Sequence, residues 1–233
     1  MLILLKLAPF LVAIGYGLLL YRFSVWRTTK MLNEQSRPLT DADMMAVMQR
    51  LAQALDLPAL KIHVFEIAPV NGLAAPDGRI FLTRGFLDRH RSGAVSADEI
   101  ASVVAHELGH VALGHARRRM IDFTGQNAVM VVLSAVLNRF LPGIGIWIAN
   151  ALASAVTARL SRRDEYEADA YASALLIKAG FGTAPQKSLF RKLEALTGGA
   201  GGTVPVWLRS HPKTEDRIRA IETNEARWTV PAL

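Results

Sequence analysis

The chain contains no cysteine, which removes disulfides and thiolate ligands together, so any bound metal must be held by histidine and carboxylate. That absence suits a reducing and an oxidising compartment equally. No internal repeat is visible in the 233 residues, a length that serves one globular unit with appendages. The net charge is +7, yet apart from Arg117, Arg118 and Arg119 the basic residues are scattered. No basic stretch is interleaved with aromatics, so nucleic acid is not an expected partner, while an anionic lipid surface stays compatible. A signal peptide is not evident either, because the basic start, short apolar core and small-residue cleavage site are not clear.

Apolar residues, in contrast, are abundant. They make up 51% of the chain, a high share for a protein without membrane contact. Residues 2–21, "LILLKLAPFLVAIGYGLLLY", are long enough for a helix to cross the hydrocarbon layer, with Lys6 near one end where it can snorkel. The expected organisation is an N-terminal transmembrane anchor at 1–22, a juxtamembrane link at 23–39 and one globular domain at 40–233. Arg22, Arg27 and Lys30 follow the run. The positive-inside rule then predicts a single-pass protein of a cell inner membrane with its long C-terminal part in the cytoplasm. The alternative is a periplasmic domain.

Residues 40–56 carry apolar side chains at helical spacing behind Thr40, a suitable N-cap. "KIHVFEI" at 61–67 alternates as a strand does, and "VNGLAAPDGRIFLTRGFL" at 70–87 places Pro76, Asp77 and Gly78 between two extended stretches, the punctuation of a hairpin. The central helix opens with a capping box of Ser96 and Glu99 and is expected to run on to Arg119. From Gln126 to Ala158 two apolar arms flank "FLPGIG". Each is shorter than the roughly 20 residues that span a bilayer, so they read as buried or membrane-skimming helices, with a membrane hairpin as the alternative. "RRDEYEADAYASALLIKAGFG" is an amphipathic helix stopped by Gly180 and Gly182. "TGGAGGT" is a flexible loop, and a last helix starts around Pro212. The sum is a mainly α fold with a small β-sheet, of the α+β class.

Chemistry concentrates in "AHELGHVALGH" at 105–115. His106 and His110 stand one helical turn apart on one face and can both reach a single ion. Glu107 sits about 100° around the helix from His106, where it can take a proton from water without being a ligand. Zn2+, one per chain, suits two imidazoles with a carboxylate base beside them. A zinc hydrolase wants a third protein ligand. On a continuing helix His115 lies about 180° from His106, which makes it a surface or packing residue. Glu165 in "DEYEADAY" is the better candidate. Asp169, one turn on from it, can accept the outer N–H of a ligand histidine and fix its tautomer. The competing reading is a solvated acidic face shared with Asp164 and Glu167.

"VVAHELGHVALGH", "SRRDEYEADA" and "SHPKTEDRI", in that order, resemble the HtpX-like zinc metalloproteases, metallopeptidase family forty-eight, of gluzincin type. The resemblance covers most of residues 40–225 and implies a zincin-like domain with His106, His110 and Glu165 as zinc ligands and Glu107 as catalytic base. It also places Asn71 at the start of a substrate-facing strand, although Gly72 and Leu73 stand where the family more often has Ala-Phe. An edge strand there could pair with an extended peptide, while the plainer role for Asn71 is a turn hydrogen bond. His211 in "SHP" resembles a family histidine beside the active site and could donate to a developing oxyanion. The expected activity is that of a membrane-anchored zinc endopeptidase acting on protein or peptide substrates. The resemblance adds misfolded or membrane proteins as the substrate class. The alternatives are a prenyl-peptide processing protease and a non-catalytic zinc-binding scaffold. The scaffold would have no need of Glu107.

Overall fold

The computed structural model describes the backbone at residues 2–75, 77–115, 118, 130, 134, 137–198 and 214–228. Side chains are described there except at 2–14, 17, 157 and 193–198. The chain forms two compact units, Met1–Glu34 with Ala116–Leu160, and Gln35–His115 with Ser161–Leu233.

The first unit contains α1 (Leu2–Glu34) and the opening part of α5 (Gly145–Lys178). The expected span at 2–21 falls within α1, which continues through most of the stretch read as a link. Most of that span lies outside the described side chains, and no helix among the described residues is long and apolar enough to cross a membrane. The break expected at "FLPGIG" is present as a turn after Phe140, where the Asn138 side chain accepts the N–H of Gly143 (3.1 Å). This unit exposes large apolar side chains, among them Phe23, Trp26, Phe140, Ile144 and Trp147.

The second unit is built on a four-stranded mixed sheet. Its strands are β1 (Ser36–Pro38), β2 (Ile62–Phe65), β3 (Gly72–Ala74) and β4 (Ile80–Thr83), in the order β1-β2-β4-β3. β1 pairs antiparallel with β2, β2 parallel with β4, and β3 antiparallel with β4. The hairpin turn falls where Asp77 and Gly78 predicted it: the Gly78 N–H donates to the Ala75 carbonyl (3.0 Å), and the Asp77 carboxylate accepts the Arg79 N–H (3.1 Å). β1 was not anticipated, because three residues ending in proline carry no alternation to read. It sits at an edge, where a proline costs the ladder nothing.

The second arm of the hairpin is shorter than expected. Extended structure stops at Thr83, and Arg84–Arg91 form α3. Phe86 and Leu87, adjacent on this short helix, are both buried, so the apolar residues read as the end of a strand pack instead as the inner side of a helix.

α2 (Ala42–Ala54) buries Met44, Val47, Met48 and Leu51, one stripe at helical spacing. Its N-cap is Asp41 rather than Thr40, the carboxylate accepting the Met44 N–H at 3.2 Å. α4 (Ala97–Ala112) begins with the expected capping box, in which Glu99 N–H donates to Ser96 Oγ and Ser96 N–H to Glu99 Oε2. Glu99 also accepts from Ser188 Oγ and Lys192 Nζ of α6 (Ala184–Gly198), tying the start of α4 to that helix. α4 is shorter than the sequence suggested. It stops at Ala112 because Gly114, at φ 65°, turns the chain left-handed just beyond Leu113. α7 (Thr214–Trp228) places Ile218 and Ile221 in the core, alongside Ile100, Val104 and Leu176.

Candidate metal centre

α4 and the latter half of α5 can approach closely because Gly109 faces the backbone of Ala168. A Cβ at 109 would lie 3.0 Å from the Ala168 carbonyl oxygen. That approach sets the His106–His110 face of α4 against Glu165 and Asp169 of α5. His106 Nε2 lies 3.1 Å from His110 Nε2 and 3.3 Å from Glu165 Oε2, and His110 Nε2 lies 3.5 Å from Glu165 Oε1. Three ligands on a tetrahedral zinc, at about 2.0–2.2 Å from it, stand roughly 3.3–3.6 Å from one another. The donor set therefore fits such an ion in kind and in spacing. His106 and Glu165 are buried, and His110 keeps a partly exposed side chain.

The outer nitrogen of His106 meets Asp169, with Nδ1 donating to Oδ1 at 2.9 Å. In the neutral imidazole this hydrogen bond keeps the hydrogen on Nδ1 and leaves the Nε2 lone pair directed at the site. Asp169 is itself gripped on both oxygens by Arg217, Nε to Oδ2 and Nη2 to Oδ1, each at 2.6 Å. Arg217 is 0% exposed, and its guanidinium lies over the Phe190 ring at 4.3 Å. Burial works to raise the Asp169 pKa, but the Arg217 charge and hydrogen bonds, with His106, hold it below the usual range. Burial works the other way on His106, yet Asp169 and Glu165 outweigh it and bring the imidazole up to about 9.

Glu107 is buried on the side of α4 that faces β3. Gly72 is the contact point. A Cβ there would fall 2.5 Å from Val103 Cγ1 and 3.8 Å from Glu107 Oε1, so only glycine lets the strand lie this close. β3 is an outer strand of the sheet. With Leu73 opposite Phe81, and the Asn71 carbonyl accepting from Thr83 N–H, the antiparallel ladder aims the backbone groups of Gly72 and Ala74 away from β4. Asn71 anchors this strand through its main chain, its N–H donating to Thr83 Oγ1 at 2.9 Å. His211 and most of the glycine-rich loop, residues 199–203, lie outside the described residues.

Two residues near the centre take places that the sequence pattern does not announce. Arg217 is on the inner face of α7, in register with buried Thr214, Ile218 and Ile221, and an arginine at an apolar-stripe position was the available signal. On a continuing helix the sequence makes His115 a surface or packing residue. It is buried, but the chain turns at Gly114 and brings its Nδ1 to 2.7 Å from His110 Nδ1. The glycine immediately before it is the local signal for that turn.

The profile of Peptidase family M48 matches residues 38–225. The chain is 30% identical over 158 residues to the metalloprotease LoiP of Escherichia coli (strain K12), covering 68% of this chain and 60% of that protein. It thus spans less than two thirds of that relative's length. It is 26% identical to a protease HtpX homolog of Chlorobium phaeobacteroides (strain BS1), an alignment covering 93% of this chain and 82% of the relative. Over 78% of this chain it is 25% identical to the mitochondrial metalloendopeptidase OMA1 of Homo sapiens, covering 37% of that protein.

Proposed function

The chain belongs to peptidase family M48, and from that premise we propose that it is a membrane-associated, zinc-dependent endopeptidase whose metal is held by His106, His110 and Glu165. The observation that carries the reading is the convergence of those three side chains within 4.8 Å of one another, with Glu107 between them and the outer strand β3. When bound, zinc supplies Lewis acidity, polarising a peptide carbonyl and acidifying water.

The rest of the chemistry belongs to the chain. β3 receives the substrate as an added strand, its Gly72 and Ala74 backbone groups pairing with an extended peptide and drawing the scissile bond toward Glu107. The Glu107 carboxylate accepts the proton of the attacking water and returns it to the leaving amine. Asp169, fixed by Arg217, orients His106. The resemblance of the "SHP" segment supports His211 as a donor to the oxyanion.

The apolar side chains exposed on the first unit, together with the run at 2–21, support attachment to a cell inner membrane. Arg22, Arg27 and Lys30 favour a cytoplasmic catalytic unit over a periplasmic one. Misfolded or membrane proteins are the proposed substrates, on the strength of the family resemblance.

Zinc content and casein cleavage of the wild-type chain and of Glu107→Gln provide the test. The amide keeps the shape of the carboxylate but accepts no proton at neutral pH. The expected result is unchanged zinc and cleavage lowered by at least about 10²-fold. A variant that loses zinc would make Glu107 a ligand or a structural support, and one that keeps both zinc and activity would remove it from the chemistry.

A further inference from the structure

His115 is 1% exposed and lies between two kinds of group. Its Nδ1 is 2.7 Å from His110 Nδ1, and its Nε2 is 3.3 Å from Glu167 Oε2 and 3.9 Å from Asp164 Oδ1. Glu167 is steadied by Arg163, whose Nε donates to Oε1 at 2.8 Å. His110 turns its Nε2 toward His106 and Glu165, so Nδ1 is its outer nitrogen.

Proton counting decides what this arrangement does. A neutral imidazole that offers its Nε2 lone pair to a metal carries its hydrogen on Nδ1. At His110 that hydrogen points at His115 Nδ1, which can accept it only if His115 carries its own hydrogen on Nε2. The Nε2–H of His115 then faces the Glu167 and Asp164 carboxylates, which accept. Every hydrogen along carboxylate, His115 and His110 thus has an acceptor, and the His110 lone pair is left for the metal.

We propose that His115 is a positioning residue for the metal ligand His110, fixing its tautomer and ring orientation through the imidazole–imidazole hydrogen bond. The inference rests on the zinc-site reading above. His106 is oriented by a carboxylate and His110 by a second imidazole backed by carboxylates. The two ligands therefore reach the same tautomer by different means.

The rival use of the same residues is a second metal site, since His115, Asp164 and Glu167 also bring ligand atoms within 4.8 Å of one another. An ion there would occupy His115 Nε2 and move its hydrogen to Nδ1. With His110 also bound to metal, two N–H groups would face each other at 2.7 Å. The geometry favours the single-site reading.

The test measures zinc affinity of the full chain by chelator competition, zinc stoichiometry, and the unfolding midpoint of chelator-treated protein, for wild type, His115→Phe and His115→Asn. Phenylalanine keeps the ring and removes the acceptor, whereas asparagine sets an amide oxygen near the place of Nδ1. The expected result is one zinc per chain, an affinity about 10- to 100-fold weaker in His115→Phe, and recovery of most of that loss in His115→Asn. A role in packing alone would leave asparagine no better than phenylalanine and would overturn the inference. So would wild-type affinity in His115→Phe, or two zinc ions in the wild type falling to one in that variant.

Should His115→Phe fail to fold, 15N spectra of the zinc-loaded wild type decide the matter. Hydrogen on His115 Nε2 and on His110 Nδ1 agrees with the proposal, and hydrogen on His115 Nδ1 refutes it. If the wild-type chain binds no zinc that depends on His106, the site reading falls and takes this inference with it. Zinc binding that needs His106 but ignores His115 sinks the inference alone.

Discussion

Arg217 supports the centre from behind the ligand atoms, its Nη2 lying 3.4 Å from the outer nitrogen of His106. It is 0% exposed and holds both Asp169 oxygens, and Asp169 in turn holds His106. Removing one member of a buried ion pair strands the other charge, which costs about 3–5 kcal/mol. Arg217→Met is therefore expected to lose about that much stability in urea unfolding, and zinc affinity by about 10- to 100-fold. Unchanged stability in Arg217→Met would show that Asp169 is held by something else. His106 adds a pH dependence of known sign. Its folded pKa of about 9 lies above the ordinary 6.5, so in chelator-treated protein the stability from its charged contacts is complete below pH 6.5 and lost as pH rises through 9. The size is on the order of a few kcal/mol. Urea midpoints should fall between pH 6.5 and 9, and a flat profile over that window would count against the His106–Asp169 pair as drawn.

Among the elements, β3 and α4 show what the sequence made legible and what it concealed. The capping box at Ser96, the hairpin turn at Asp77 and Gly78 and the one-turn spacing of His106 and His110 are local signals, each expressed within a few residues, and all could be read in advance. The inner position of Arg217, the helical turn at Phe86 and Leu87 and the return of His115 toward His110 depend on neighbours distant in sequence, or on a single glycine. Periodicity averages such features away. Gly72 belongs to the second group, because nothing local announces that Val103 and Glu107 stand opposite it. Gly72→Ala is expected to push β3 off α4 and lower kcat/KM by about 10- to 100-fold, the order of loss that a misplacement near 1 Å brings. Zinc content should not change. Adding Val103→Ala makes room for the new methyl and should recover most of the activity, the coupling expected of residues in contact. Full activity in Gly72→Ala alone would mean that the strand does not position substrate.

For the whole molecule, the two units differ in what they leave exposed. The unit of Gln35–His115 and Ser161–Leu233 encloses the site around an apolar core. The unit of Met1–Glu34 and Ala116–Leu160 presents Phe23, Trp26, Phe140, Ile144 and Trp147 outward, with Phe140 at 74% and Trp147 at 73% exposure. Large apolar side chains exposed in this number suit a lipid or protein partner. Aromatic side chains beside a short apolar arm suit the boundary between lipid headgroups and acyl chains. A lipid partner predicts that Trp147, kept as the single tryptophan with phenylalanine at 26, 207 and 228, fluoresces to the blue in phospholipid vesicles and is quenched by brominated acyl chains. A covering protein surface predicts a blue-shifted emission that brominated lipid does not quench. That second outcome would assign the face to another copy of the chain or to a partner protein. In that case a truncation beginning at residue 35 tests whether the proposed membrane attachment runs through the apolar run at 2–21. Release of the truncated chain from the membrane fraction is expected, and its retention would count against that run as the anchor.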